Sequence, residues 1–191
     1  MEKNIKISAV VGIDPGRNGG IVTWRPGQKI TAAKMPQDIN DLRDYLTYLK
    51  SICSPMVFLE KLTVRPDDVM AGAEGVNMGK MYRIQKMMAN YEQLKMMIAF
   101  CEVPFVVVHP IKWQNELKLR TKSSRHKEEK AERKRRYRDV AGNLYPELTP
   151  TLWNADATLI MHFGRYILKN NPNWVRDNLP ERLKRALFSP V

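Results

Sequence analysis

The sequence has little cysteine, little histidine and no long apolar run, and each shortage excludes a class of protein. Its 191 residues include two cysteines, Cys53 and Cys101, and three histidines. Two cysteines cannot build a zinc ribbon or a disulfide framework, which favours a reducing compartment. No apolar stretch reaches the ~18 residues of a membrane-spanning helix, and residues 1–6 lack the apolar part of a signal peptide. We therefore expect an intracellular, cytoplasmic protein with no membrane partner.

Positive charge is what the sequence has in excess. It contains 32 Lys and Arg against 20 Asp and Glu, a net charge of +12. Residues 118–138 hold 11 of the basic residues and 3 acidic ones, so most of the surplus is concentrated there. Because phosphate contacts release counterions, such density favours a polyanionic partner, most simply nucleic acid.

The hydrophobic pattern predicts an α/β protein. Short apolar, β-branched runs indicate buried strands, and apolar residues at spacings of three and four indicate amphipathic helices. A hairpin around residues 25–28 precedes strands that alternate with helices, so antiparallel pairing should give way to parallel crossovers. The predicted strands cover residues 7–13, 21–24, 29–33, 57–59 and 105–108, and the predicted helices cover about 39–49, 77–100, 110–117, 123–140 and 154–168.

Three carboxylates stand where predicted elements begin or end. Asp14 follows the first strand, Glu60 follows the strand at 57–59, and Asp156 is in the first turn of the last long helix. Side chains beyond the carboxyl ends of neighbouring parallel strands converge on one crevice, so these residues can share a cleft. Asp14 and Asp156 also have plainer interpretations, as a turn cap and as a partner of the helix dipole. Glu60 ends so apolar a strand that its charge needs a partner.

A cleft that contains three carboxylates indicates a metal site. Like charges repel each other unless a cation neutralises them, and oxygen ligands without histidine or thiolate favour Mg²⁺ or Mn²⁺. Two such ions can activate water and stabilise the leaving oxygen in phosphodiester hydrolysis. Asp14, Glu60 and Asp156 are therefore the candidate catalytic and metal-ligating residues.

Several short motifs resemble those of one nuclease family. The sequence reads GIDPG at 12–16, GGIV at 19–22, VFLEK at 57–61, VVVHPIKW at 106–113, LYPEL at 144–148 and NADATLI at 154–160. In this order, from about residue 8 to 168, they resemble the motifs of the RuvC family of Holliday-junction resolvases, in particular its phage-type members. That family lies within the RNase H-like superfamily.

The resemblance implies a fold, an activity and a set of partners. The fold would be an RNase H-like mixed five-stranded sheet flanked by helices, over residues 1–170, with the basic helical segment 118–140 inside it and a C-terminal tail at 171–191. The activity would be that of a Mg²⁺- or Mn²⁺-dependent endodeoxyribonuclease that resolves four-way or branched DNA junctions in recombination and repair. The protein would be a homodimer, encoded by a bacterium or a phage, with Asp14, Glu60 and Asp156 as catalytic metal ligands.

Two positions depart from the family pattern. Trp153 stands where the family usually has a fourth ligand, and Thr63 stands where it often has an aromatic wedge. We expect Trp153 to border the cleft, because it lies one helical turn before Asp156. Two alternative functions remain open on these grounds, a non-catalytic protein that binds branched DNA and an RNase H-like nuclease of another specificity.

Basic residues outside the acidic cluster are the candidates for phosphate contact. They comprise a stripe on the helix predicted over 77–100, one residue of the short helix after residue 110, and the dense segment that follows it. The methionines of the 77–100 helix indicate either core packing or a dimer interface. The candidate DNA-binding residues are Lys80, Arg83, Lys86, Lys112, Lys118, Arg120, Lys122, Arg125, Arg133, Lys134, Arg135 and Arg136.

Overall fold

A computed structural model describes residues 7–16, 18–64, 68, 77–120, 129–179, 181 and 183–184. Five strands and six α-helices follow one another along these ranges. A 3₁₀ turn, Pro146–Leu148, lies between the fourth and fifth of these helices. The elements are β1 Ala9–Ile13, β2 Gly20–Trp24, β3 Thr31–Lys34, α1 Ile39–Ile52, β4 Pro55–Glu60, α2 Met78–Phe100, β5 Phe105–Val108, α3 Pro110–Glu116, α4 Lys130–Leu144, α5 Ala155–Asn170 and α6 Pro172–Asn178.

The strands form one mixed sheet in the order β3-β2-β1-β4-β5. The hairpin strands β2 and β3 are antiparallel to each other, and β1 is antiparallel to β2. β1, β4 and β5 are parallel, with Ile13 paired to Leu59 and Glu60 paired to Val108. The predicted mixed five-stranded sheet flanked by helices is therefore confirmed.

Each face of the sheet has its own apolar core. Because side chains alternate along a strand, Val10 and Phe58 point to one face while Val11 and Val57 point to the other. The first face is covered by α5, with α3, α4 and α6 around it, and the second is covered by α1 and α2. Among the described residues, no helix is long and apolar enough to cross a membrane.

The closest approach between sheet and helix occurs at Gly12 of β1. A Cβ atom added to Gly12 would lie 2.3 Å from the carbonyl oxygen of Ala157 and 2.4 Å from the backbone nitrogen of Met161, both in α5. Only a residue without a side chain permits such backbone contact. The first turn of α5 is therefore held directly over the end of β1.

The C-terminal half differs from the predicted elements in two places. α4 spans 130–144, whereas the predicted helix covers about 123–140. Tyr137 and Ala141 give α4 a buried face that extends it beyond residue 140. Residues 121–128 lie outside the described ranges. α6 was not predicted, yet its Val175 is 2% exposed and belongs to the core under α5.

The spacing of six residues from Asp156 predicts that His162 lies on the surface, and this prediction is wrong. The structure places it half-buried on α5, where its Nδ1 atom lies 2.7 Å from the hydroxyl of Tyr145. Tyr145 is supplied by the chain that leaves α4, so helical spacing within α5 alone does not reveal this contact.

Substitution of Gly12 by Ala tests the contact between β1 and α5. The added methyl group must displace helix backbone, and we expect the free energy of unfolding to fall by about 3 kcal/mol, measured by urea denaturation. Gly142→Ala on α4 is the matched control, because its nearest atom to an added Cβ is 4.0 Å away. That variant should gain up to about 1 kcal/mol from helix propensity. Equal stability of the two variants would contradict the proposed role of Gly12.

Candidate active site

The fold brings the three predicted carboxylates into one cleft. Ile13 of β1 pairs with Leu59 of β4, and the next residues along the chain are Asp14 and Glu60. The two acids therefore lie at the same edge of the sheet, at the carboxyl ends of adjacent parallel strands. Both lie two residues beyond positions that face α5, and strand alternation directs them to that face. Asp156, the second residue of α5, completes the group, and all three line a cleft of about 900 Å³.

Burial and mutual repulsion perturb two of these carboxylates. Burial, followed by the charges of Asp14 and Asp156, raises the pKa of Glu60 to about 8. Burial likewise raises the pKa of Asp14, and the charge of Asp156 adds to the effect. A hydrogen bond of 3.1 Å from the backbone N–H of Gly16 to Asp14 Oδ1 opposes this increase. Burial and the mutual repulsion of these carboxylates therefore disfavour ionisation of Glu60 and Asp14.

Trp113 is the hydrogen-bond partner that the position of Glu60 requires. Its indole Nε1 donates to Glu60 Oε1 at 3.1 Å. The indole is 1% exposed and packs edge-on against Tyr137 of α4, with ring centroids 5.5 Å apart. Trp113 therefore fixes the orientation of Glu60 and links it to α4. This role could not be predicted from the sequence, because it depends on the pairing of β4 with β5, which places α3 beside Glu60.

Lys134 of α4 pairs with Asp156. Its Nζ atom lies 2.6 Å from Asp156 Oδ2, and the two side chains are 29% and 12% exposed. Burial lowers the pKa of Lys134, but the charge and hydrogen bond of Asp156, together with the charges of Asp14 and Glu60, raise that pKa overall. The other oxygen, Asp156 Oδ1, is buried and has no hydrogen-bond partner among the described residues.

The donor set of this cleft fits a hard divalent cation. Asp14, Glu60 and Asp156 offer only carboxylate oxygens, and the unpartnered Asp156 Oδ1 is a buried acceptor that a cation would satisfy. As the described side chains stand, no three acidic, histidine or cysteine residues are grouped closely enough to surround one ion. Asp14, Glu60 and Asp156 are the residues whose oxygen donors suit a metal.

The candidate DNA-binding residues divide into three groups. Arg120, Arg133, Lys134 and Arg136 line the cleft, and Lys130, which the sequence analysis did not select, lines it with them. A second group does not line the cleft and comprises the candidates on α2 and Lys112, Lys118 and Arg135. Lys112 instead contacts Glu116 and the ring of Trp174. Lys122 and Arg125 lie outside the described residues. The α2 residues outside the cleft are Lys80, Arg83 and Lys86.

The two positions that depart from the family pattern both border the cleft. Thr63 and Trp153 line it, as expected for Trp153. However, α5 begins at Ala155, so Trp153 lies in the preceding turn, where its ring contacts Gly20 of β2. Asn154 does not replace the missing ligand, because its Oδ1 atom accepts a 2.6 Å hydrogen bond from the backbone of Thr151.

Comparison with solved structures agrees with this architecture. The structure of Thermus thermophilus RuvC is similar with a TM-score of 0.50 and 13% identity, covering 84% of this chain and 95% of that one. T. thermophilus RuvC in complex with Holliday junction substrate is similar with a TM-score of 0.50 and 14% identity, covering 86% and 96%. No protein-family model and no curated protein sequence matches the chain. The likeness establishes an RNase H-like fold of the kind found in RuvC.

The raised pKa of Glu60 makes stability depend on pH. The unfolded chain releases this proton near the ordinary value of 4.5, whereas the folded protein retains it to about 8. The stability contributed by the protonated group is complete below 4.5 and is lost as pH rises through 8. In the presence of a chelator, the free energy of unfolding should fall between pH 5 and 8 by on the order of 2–4 kcal/mol more in the wild type than in Glu60→Gln.

Urea denaturation at several pH values measures this difference. The control is Glu147→Gln, which removes an exposed carboxylate from the 3₁₀ turn and should retain the wild-type slope. The same slope in Glu60→Gln and the wild type would show that Glu60 is not desolvated in the folded protein.

Proposed function

We propose that the protein is a divalent-metal-dependent endonuclease that cuts four-way or otherwise branched DNA. The observation that carries this proposal is the combination of three carboxylates and five basic side chains in one cleft. The carboxylates suit a phosphodiester-cleaving metal site, and the basic side chains suit the phosphates beside it. The similar RuvC structure that holds Holliday junction substrate supports branched DNA as the substrate class.

The chain's own residues prepare this cleft for hydrolysis. A divalent metal held by Asp14, Glu60 and Asp156 would activate water and neutralise charge at the scissile phosphate. Trp113 holds one oxygen of Glu60 through its indole N–H. The Gly16 N–H holds Asp14 in a fixed turn. These contacts set the carboxylate orientations before substrate arrives, which reduces the reorganisation that the reaction requires.

The basic wall of the cleft would bind the DNA backbone. Arg133 and Arg136 stand on α4, and Arg120 follows α3, and all three line the cleft that contains Asp14 and Glu60. The Arg136 guanidinium also donates to the carbonyl oxygen of Leu119 at 2.6 Å, which ties α4 to the segment that carries Arg120. Binding through such phosphate contacts weakens steeply as salt concentration rises.

A homodimer is part of the proposal, and α2 is its candidate interface. Met78, Tyr82, Met96 and Phe100 are each 67–75% exposed. At 100° per residue they fall within about 40° of one another, opposite the buried face that includes Tyr91. A row of large exposed apolar side chains is typical of an interaction surface, and a two-fold axis lets one such row pack against its own copy.

Substitution of each carboxylate tests the nuclease proposal. We expect Asp14→Asn, Glu60→Gln and Asp156→Asn to lower the cleavage rate of a synthetic four-way junction in Mg²⁺ at least ~10³-fold, while junction binding persists. Cleavage should fall because each variant loses a metal ligand, and junction binding should persist because the basic side chains of the cleft are unchanged. Cleavage is measured on gels and binding by fluorescence anisotropy.

The controls separate this function from its alternatives. Exposed Asp139→Asn removes a carboxylate from the outer side of α4 and should cleave as the wild type does. Preferred cleavage of an RNA–DNA hybrid would identify an RNase H-like nuclease of another specificity. Junction binding by a wild type that cleaves nothing in Mg²⁺ or Mn²⁺ would identify a non-catalytic binding protein.

A charge on the exposed α2 face should disrupt the dimer. Met96→Glu places a carboxylate at the proposed two-fold contact. We expect the dissociation constant of the dimer, measured by sedimentation velocity, to rise at least ~10-fold. Asn90→Glu adds the same charge on an exposed part of α2 about 120° from Met96 and should remain dimeric. Equal dissociation constants for the two variants would show that this face of α2 is not the interface.

A further inference from the structure

Lys134 is a basic side chain of the cleft that pairs with a candidate metal ligand. The face of α4 that turns inward contains Tyr137 and Ala141, both buried, and Lys134 lies one turn before Tyr137 on that face. The packing of Tyr137 against Trp113 therefore sets where the lysine stem enters the cleft. Its Nζ atom reaches Asp156 Oδ2 at 2.6 Å.

This pair puts a protein cation where a metal ion would bind. Asp156 is 9% exposed, so its charge depends on a close partner, and the ammonium supplies one. A single ammonium satisfies only one of the two carboxylate oxygens, and Asp156 Oδ1 stays buried without a partner among the described residues. A divalent ion would compete for the same carboxylate with twice the charge.

A route for releasing Lys134 is present in the same cleft. Lys130, Arg133 and Arg136 line the cleft together with Lys134, so a phosphate that enters meets all four. Lysine is a compact charge on a flexible stem and can turn from a carboxylate to a nearby phosphate. Such a movement would leave Asp156 free as DNA arrives.

We propose that Lys134 is an internal competitor of the catalytic metal, which holds Asp156 in the free protein and transfers to a substrate phosphate when DNA binds. The inference rests on the proposed function, since it takes the cleft to be a metal-dependent nuclease site. Its consequence is that metal and DNA bind cooperatively. By thermodynamic linkage, each ligand raises the affinity for the other by the same factor.

The first experiment measures Mn²⁺ binding to the DNA-free protein by the loss of the free-ion electron paramagnetic resonance signal. Lys134→Met removes the ammonium but keeps an unbranched apolar stem, and we expect it to bind Mn²⁺ about 5- to 50-fold more tightly than the wild type. Lys130→Met changes the same residue type on the same helix, and Lys130 contacts no carboxylate in the part of the chain that the structure describes. The Mn²⁺ affinity of this variant should change less than about 3-fold.

A thermal melt provides the folding control and a second readout. Without metal, Lys134→Met leaves three carboxylates with no ammonium among them and should melt below the wild type. Saturating Mn²⁺ should raise its melting temperature more than that of the wild type, because the ligand binds the folded state more tightly. If Lys134→Met does not fold, Lys134→Gln, which keeps a polar end group, takes its place.

The second experiment measures junction affinity by fluorescence anisotropy with and without Ca²⁺, a hard cation that uses the same oxygen ligands. Gels verify that the junction remains intact. We expect Ca²⁺ to tighten junction binding by the wild type at least ~5-fold, and to tighten it less for Lys134→Met.

The outcomes distinguish this inference from the proposed function. The competitor role would be supported if Lys134→Met binds Mn²⁺ more tightly than both the wild type and Lys130→Met, and if Ca²⁺ raises its affinity for the junction less than that of the wild type. Equal Mn²⁺ affinity in the wild type and Lys134→Met would overturn that role and leave the metal-dependent nuclease standing. No Mn²⁺ binding by either protein would overturn both.

Discussion

The direct contact of helix α5 with strand β1 at Gly12 is the constraint on which the rest of the structure depends. The helix backbone lies against the strand backbone there, with no side chain between them. Asp156 is adjacent to Ala157, whose carbonyl meets Gly12, and Asp14 is two residues beyond Gly12 on the same strand. A bulkier residue at this point would move the two carboxylates apart before it affected any other part of the site.

The electrostatic character of the cleft follows from this placement. Three carboxylates at the end of a buried sheet are unfavourable without cations, and the pKa of about 8 for Glu60 expresses that strain. The protein compensates locally with an indole hydrogen bond on Glu60 and an ammonium on Asp156. Both compensating groups are held by the contact of α3 with α4, so the packing of Trp113 against Tyr137 influences the charge state of the cleft.

Much of the fold and the acidic group could be predicted from sequence, because both depend on short-range patterns. Buried β-branched runs mark β1, β4 and β5, and strand alternation puts Asp14 and Glu60 on one face. The partners of these acids could not be predicted, because they come from distant chain segments. Trp113 reaches Glu60 through the pairing of β4 with β5, and Lys134 reaches Asp156 through the packing of Tyr137. Dense charge marked α4 as basic but could not tell which lysine turns inward.

The short helix α6 was missed for a related reason, since only Trp174 and Val175 of its seven residues are apolar. Its contribution comes from position, because the Trp174 ring meets Phe163 of α5 edge-on at 5.8 Å and Val175 and Leu179 join the same core. A chain truncated after α5 would therefore lose apolar side chains that pack against that helix. We expect a truncated form ending near residue 170 to expose an aromatic face and to aggregate.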